Sequence, residues 1–157
     1  MNVITRNPAG IPAVVLKAYG ALRRDFSEWG PVVTITQEQV DCFTALTGDG
    51  NPIHKAGNPQ MSMPIVPGLL ELALLPRLLP GGLPLEVPGH IILNRKVECE
   101  FKRPVTVGTG ICMRYRPHGE LVLERVGVSA HFEFEIGFAS TKKATANGLI
   151  DLFVMPG

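Results

Sequence analysis

The sequence predicts an α+β domain in which a curved antiparallel β-sheet wraps around a long central buried helix. Three observations predict it. Leu69 to Leu79 carries apolar residues on nearly every side at helical spacing, as a helix buried all round would. Past Pro80-Gly81-Gly82 the apolar period changes from 3.6 to 2, which marks strands. Those strands are long, one-sided and joined by turn residues, as in an antiparallel sheet with one wet face. A sheet with one apolar face and a helix apolar all round bury each other when the sheet curls.

The chain has 157 residues, 45% of them hydrophobic and 18% charged, the size of one ordinary domain. A single domain over 1–157 is expected, with residues 1–30 as an N-terminal extension. Lys+Arg 15 against Asp+Glu 14 gives a net charge of +1, without the basic footprint of a nucleic-acid binder. Cys42, Cys99 and Cys112 are odd in number and widely spaced. They form no disulfide framework and no zinc motif, and they suit a reducing, cytoplasmic setting.

In chain order, Ile11 to Leu16 is apolar, but Lys17 interrupts it and Arg23-Arg24 follow it, the reverse of a signal peptide. The stretch up to Arg24 is basic and free of acids, as transit peptides are; a short amphipathic helix over Ala13 to Leu22 is expected instead. No run reaches the ~20 apolar residues of a membrane span. Thr36-Gln37-Glu38-Gln39 fits a capping box, Val40, Phe43 and Leu46 follow at helical spacing, and Gly48 is the stop. A loop runs from Asp49 to Met63, and Pro64 to Gly68 leads into the apolar helix. Val97, Cys99 and Phe101 then alternate with charged residues, as Ile111, Met113 and Tyr115 do with Cys112, Arg114 and Arg116. After a turn at Pro117-His118-Gly119, Val122 to Phe138 keeps one apolar face that only Glu124 breaks, and a last strand spans about Ala144 to Met155. An exposed sheet edge invites a second copy, so a dimer is expected.

The chemistry concentrates in Asp49-Gly50-Asn51-Pro52-Ile53-His54. Asp49 follows a helix stop where no core needs a carboxylate, and His54 lies in the same short loop, stiffened by Pro52. A carboxylate and an imidazole held together can share a water, taking one proton and delivering another. Asp and Asn are also ordinary turn residues, so spacing alone leaves a purely structural role open. Pro67-Gly68 would leave backbone N–H groups free at a helix start, able to hold a developing enolate oxygen. Close packing of strand on helix is the other reason for a glycine there.

Together, Phe43 to His54, Pro64-Ile65-Val66-Pro67-Gly68-Leu69, and Phe101-Lys102-Arg103-Pro104-Val105 with Gly108 resemble the MaoC-like dehydratases, the (R)-specific enoyl-CoA hydratases. The resemblance covers roughly Thr34 to Ile111. It implies the hot dog fold, with Asp49 and His54 as the catalytic pair. Asn51 matches a position that fixes the loop and the site's hydrogen bonds, and Gly68 the backbone donor to the thioester oxygen. The implied reaction is reversible addition of water to a trans-2-enoyl thioester, giving the (R)-3-hydroxyacyl thioester. No metal or separate cofactor is implied; coenzyme A or acyl carrier protein belongs to the substrate. Departures fall at Pro67, where the family has His; in the short segment between His54 and Pro64; at Lys55-Ala56-Gly57, which lacks a family Asp; and at Val107-Gly108-Thr109. They touch the lid and acyl pocket and leave Asp49 and His54 intact.

His90, His118 and His131 read as surface residues, Cys99 as core, and Cys112 as no better a nucleophile. Arg95, Lys96, Lys102 and Arg103 form a basic cluster that could meet the phosphates of coenzyme A, or a solvated strand face. Two alternatives stand beside hydration: a thioesterase on the same fold, and a non-catalytic hot dog subunit working through a partner chain, for which Pro67 and the short lid speak.

Overall fold

The computed structural model describes residues 13–157. The Ile11-Pro12 start of the apolar N-terminal stretch lies outside them. A first helix, α1 (Ala13–Gly20), precedes a short strand, β1 (Val33–Thr34), and helix α2 (Gln37–Thr47). Thr36 and Gln39 close a complete capping box at the start of α2. Gly48 ends α2 in the left-handed region at φ 74°, which a residue without Cβ adopts freely. Val40 is fully buried, whereas Leu46, expected on the same face, is exposed. Steps of three residues drift backwards around a helix, so Leu46 stands about 120° from Val40.

The helical segment after the loop is broken in two: α3 (Gly68–Ala73) and α4 (Leu75–Leu78), joined at Leu74. Pro76 has no N–H to continue the ladder, and its ring crowds the carbonyl of Leu72. Burial is also one-sided. Leu70, Leu75 and Leu78 face the core, while Leu69 is 65% exposed, so the expectation of a helix buried all round fails here.

Strands β2 (His90–Phe101), β3 (Gly110–Pro117), β4 (Val122–Leu123), β5 (Val128–Phe138) and β6 (Ala144–Pro156) complete an antiparallel sheet. Its order is β1-β3-β5-β6-β2, with β4 paired to β5. The expected single apolar run from Val122 to Phe138 is a hairpin, closed where Glu124 N–H donates to the Gly127 carbonyl at 2.9 Å. Two buried clusters fill the curl. One gathers Leu70, Leu75 and Leu78 against Met113, Phe134 and Ile136. The other seats Val15 and Tyr19 of α1 against Val128, Phe132 and Val154.

The outer sheet face is less wet than expected. Arg114 pairs with Glu135 at 2.9 Å and Arg116 with Glu133 at 2.6 Å across β3 and β5. The Phe26 ring lies over both guanidiniums and Trp29 over that of Arg114, at 4.5 to 4.7 Å. Ser27 and Gly30 N–H groups bond the Tyr115 and Met113 carbonyls, so this segment covers the edge of β3. At the other end of the sheet, among the described residues, β2 pairs on one side only.

Candidate active site

The loop after α2 is built by short-range hydrogen bonds. Asp49 N–H donates to the Thr44 carbonyl at 3.0 Å, closing the end of α2. Asp49 Oδ1 accepts from Asn51 N–H at 3.0 Å. Asn51 Oδ1 accepts from Ile53 N–H at 3.3 Å, and so caps the 3₁₀ turn Pro52–His54. With its oxygen committed to the turn, the Asn51 side chain shapes the loop.

His54 is 7% exposed. Its Nδ1 donates to the Ile65 carbonyl at 2.6 Å; a carbonyl only accepts, so that nitrogen carries the proton and Nε2 is left to work. Nε2 faces Asp49 Oδ2 at 3.4 Å. The Asp49 side chain is 36% exposed, so the pair meets solvent on the Asp49 side. The separation exceeds a well-formed hydrogen bond, and both atoms can serve one small molecule lying against them. Each partner thus offers one uncommitted atom to the same place.

Two further contacts fix this loop. Gln37 Nε2 donates to the His54 carbonyl at 2.9 Å, tying the loop to the first turn of α2. Ile65 N–H donates to the Ile53 carbonyl at 2.9 Å. Residues 64–66 are clamped in turn by Val107 N–H on Pro64 at 2.9 Å and Val66 N–H on Val105 at 2.8 Å. The catalytic candidates are therefore held against the approach to α3.

Gly68 begins α3. A Cβ there would lie 2.7 Å from Cζ of Phe101, so the approach of the ring by itself calls for glycine. Among the described residues the Gly68 N–H has no acceptor; the hydrogen bonds at this end begin with Leu70 N–H on Pro67 at 2.9 Å. Packing against Phe101 therefore accounts for the glycine, and its N–H stays unengaged among the described residues.

One residue escaped the sequence reading. Glu71, the lone acid in an apolar run, is 2% exposed, and its Oε2 has no hydrogen-bond partner among the described residues. Burial pushes its carboxyl up to about 7. Burial, with Glu71 nearby, pushes the Cys99 thiol up to about 11, which keeps it an inert neutral group.

The basic cluster is largely paired. Arg95 bonds Glu124 at 2.7 Å and lies 3.5 Å from Asp151, Lys96 pairs with Glu98, and Lys102 reaches Glu100 at 3.1 Å. Arg103 donates to the Ala144 carbonyl at 2.5 Å. His131 sits 3.8 Å from Asp151, and Cys112 is buried with Lys142 Nζ at 3.3 Å. Among the described residues no group of three or more His, Cys, Asp or Glu is placed to hold a metal ion. None of their helices is long and apolar enough to cross a membrane.

No family model and no curated protein matches the sequence. Solved structures do. An (R)-hydratase, PhaJ1 from Pseudomonas aeruginosa, superposes with a TM-score of 0.66 at 21% identity, over 88% of this chain and 86% of that one. An (R)-hydratase from A. caviae involved in PHA biosynthesis gives 0.59 at 25% identity, over 80% and 96%. A MaoC-like dehydratase from Rhodospirillum rubrum gives 0.66 at 11% identity, over 85% and 92%. Two-chain complexes from Mycobacterium tuberculosis, ChsH1-ChsH2 and HadBC, are also similar, each at 14% identity. The chain has the hot dog fold, a curled antiparallel sheet with few helices, and its structural neighbours are MaoC-like dehydratases and (R)-hydratases.

Proposed function

We propose that this protein is a hydro-lyase, adding water reversibly to trans-2-enoyl-CoA or enoyl-ACP to give the (R)-3-hydroxyacyl thioester. The observation that carries it is the convergence of Asp49 Oδ2 and His54 Nε2, 3.4 Å apart, in a loop clamped to the start of α3. The hydratases and dehydratases among the structural neighbours support the same class.

In hydration, a water held by Asp49 Oδ2 and His54 Nε2 attacks the β-carbon. One member of the pair takes a proton from it. Electrons move to the thioester oxygen, and the Gly68 N–H holds the resulting enolate. The other member, protonated at the outset, gives that proton to the α-carbon, and a proton passing between Oδ2 and Nε2 then returns each member to its starting state. Dehydration reverses each step. General acid–base groups of this kind typically contribute ~10² to 10⁴-fold, and one oxyanion donor ~3 kcal/mol. The protein needs no cofactor in this scheme, since coenzyme A or carrier protein arrives with the acyl group. Three cysteines without a disulfide are consistent with a cytoplasmic setting.

The test is loss of conjugated-enoyl absorbance with crotonyl-CoA and a longer enoyl-CoA. Asp49→Asn and His54→Ala should each remove most of the activity while the protein stays folded; activity surviving both rejects the assignment. Thiol release in place of water addition would identify a thioesterase. Activity appearing only with a second, different chain would identify a partner-dependent subunit, as the two-chain neighbours suggest.

A further inference from the structure

Glu71 has no part in water addition, yet it sits beside the proposed site. Gly68 and Glu71 are three residues apart in α3 and share a helix face. That face meets the end of β2: the Phe101 ring lies over Gly68, and the Cys99 thiol feels the Glu71 carboxyl. Glu71 therefore stands within one helical turn of Gly68 on the face that meets β2. Oε2 is buried there with no partner. A buried polar group without a hydrogen bond is costly and rare in folded proteins, and nothing in the described chain satisfies this one.

Accepting the hydratase assignment, we propose that Glu71 sets the substrate class of this site: its carboxyl receives a hydroxyl or keto oxygen on the acyl chain. The thioester oxygen rests on Gly68, and the acyl chain passes Glu71 about one helical turn away, ~5 Å. That places the oxygen function about four to six carbons along the chain. An oxygen function suits this buried carboxyl better than a cation does. Burial keeps the carboxyl protonated to about pH 7, so it both donates and accepts. A cation beside Phe101 and Cys99 would require two charges to leave water.

The test separates this proposal from hydration itself. Equilibrium binding of hexanoyl-CoA and 5-hydroxyhexanoyl-CoA is measured with the wild-type protein, Glu71→Leu and Glu71→Gln. Both are saturated thioesters, so no chemistry intervenes, and the wild type is assayed with crotonyl-CoA in parallel. The wild type should favour the hydroxylated thioester at least tenfold. Glu71→Leu should abolish that preference while binding hexanoyl-CoA as well or better, and Glu71→Gln should keep part of it. A wild type that hydrates crotonyl-CoA but binds both thioesters alike overturns the role of Glu71 and spares hydration. A preference lost in Glu71→Leu, in a wild type without hydratase activity, upholds Glu71 and rejects hydration. Loss of self-association in Glu71→Leu with the acyl preference unchanged assigns the carboxyl to a contact between copies and overturns the proposal.

Discussion

At the scale of single residues, the proposed site is arranged by committing the atoms that the chemistry does not use. Ile65 occupies Nδ1 of His54 and Asn51 occupies Oδ1 of Asp49, which leaves Nε2 and Oδ2 facing each other. Asn51→Ala should therefore lower kcat more than it raises KM, by about tenfold, because it loosens the loop and spares the acid–base groups. Steady-state kinetics with one enoyl-CoA checks this. Glu71 gives a second prediction, in stability. Its carboxyl titrates near 7 in the folded protein against 4.5 as the ordinary value, so the folded state holds the proton longer. Stability from this group is full below about pH 4.5, falls as pH rises to about 7, and is flat above. The loss is at most about 3 kcal/mol. Glu71→Gln should flatten that slope in urea titrations at several pH values, and Glu71→Leu should be more stable than wild type at pH 8. The loop chemistry was legible because its hydrogen bonds are local in sequence. Glu71 was visible only as an acid among leucines; what makes it unusual is the strand across from it, which spacing along one helix does not reveal.

At the scale of elements, α2 behaves as its caps dictate. Thr36→Ala removes the side chain that accepts from Gln39 N–H and should cost about 1 kcal/mol, measured by chemical denaturation. The helix that the sequence predicts over 69–79 is two short ones, because Pro76 breaks the ladder and Leu69 turns outward. Apolar content signalled burial but not which side is buried. The β4–β5 hairpin was missed for a related reason. Val122 and Val128 share an even-numbered parity in the sequence, but the turn from Glu124 to Gly127 sets Val122 opposite Ser129 and Leu123 opposite Val128, so Val122 leaves the buried face. The covering of Arg114 and Arg116 by Phe26 and Trp29 joins segments far apart in sequence, and periodicity carries no trace of it.

At the scale of the whole molecule, the sheet's two ends differ. β3 is covered by β1 and residues 27–30, while among the described residues β2 is paired on one side only, with Ile91, Leu93 and Phe101 exposed. An apolar edge of that length calls for a partner strand, and a second copy of the chain is the simplest one. Light scattering of the wild type should give twice the chain mass, and Ile91→Glu with Leu93→Glu should give the monomer. The near-neutral charge balance, with Arg95, Lys96, Lys102, Arg114 and Arg116 each paired to an acid, leaves little long-range field to steer a charged partner. The most direct measurement is the product formed from crotonyl-CoA in isotopically labelled water, with its configuration resolved. The proposed hydration predicts a 3-hydroxybutyryl thioester of (R) configuration, labelled at the β-hydroxyl, formed by the wild type and not by Asp49→Asn. Unchanged substrate, free thiol, or the same product from Asp49→Asn would contradict it.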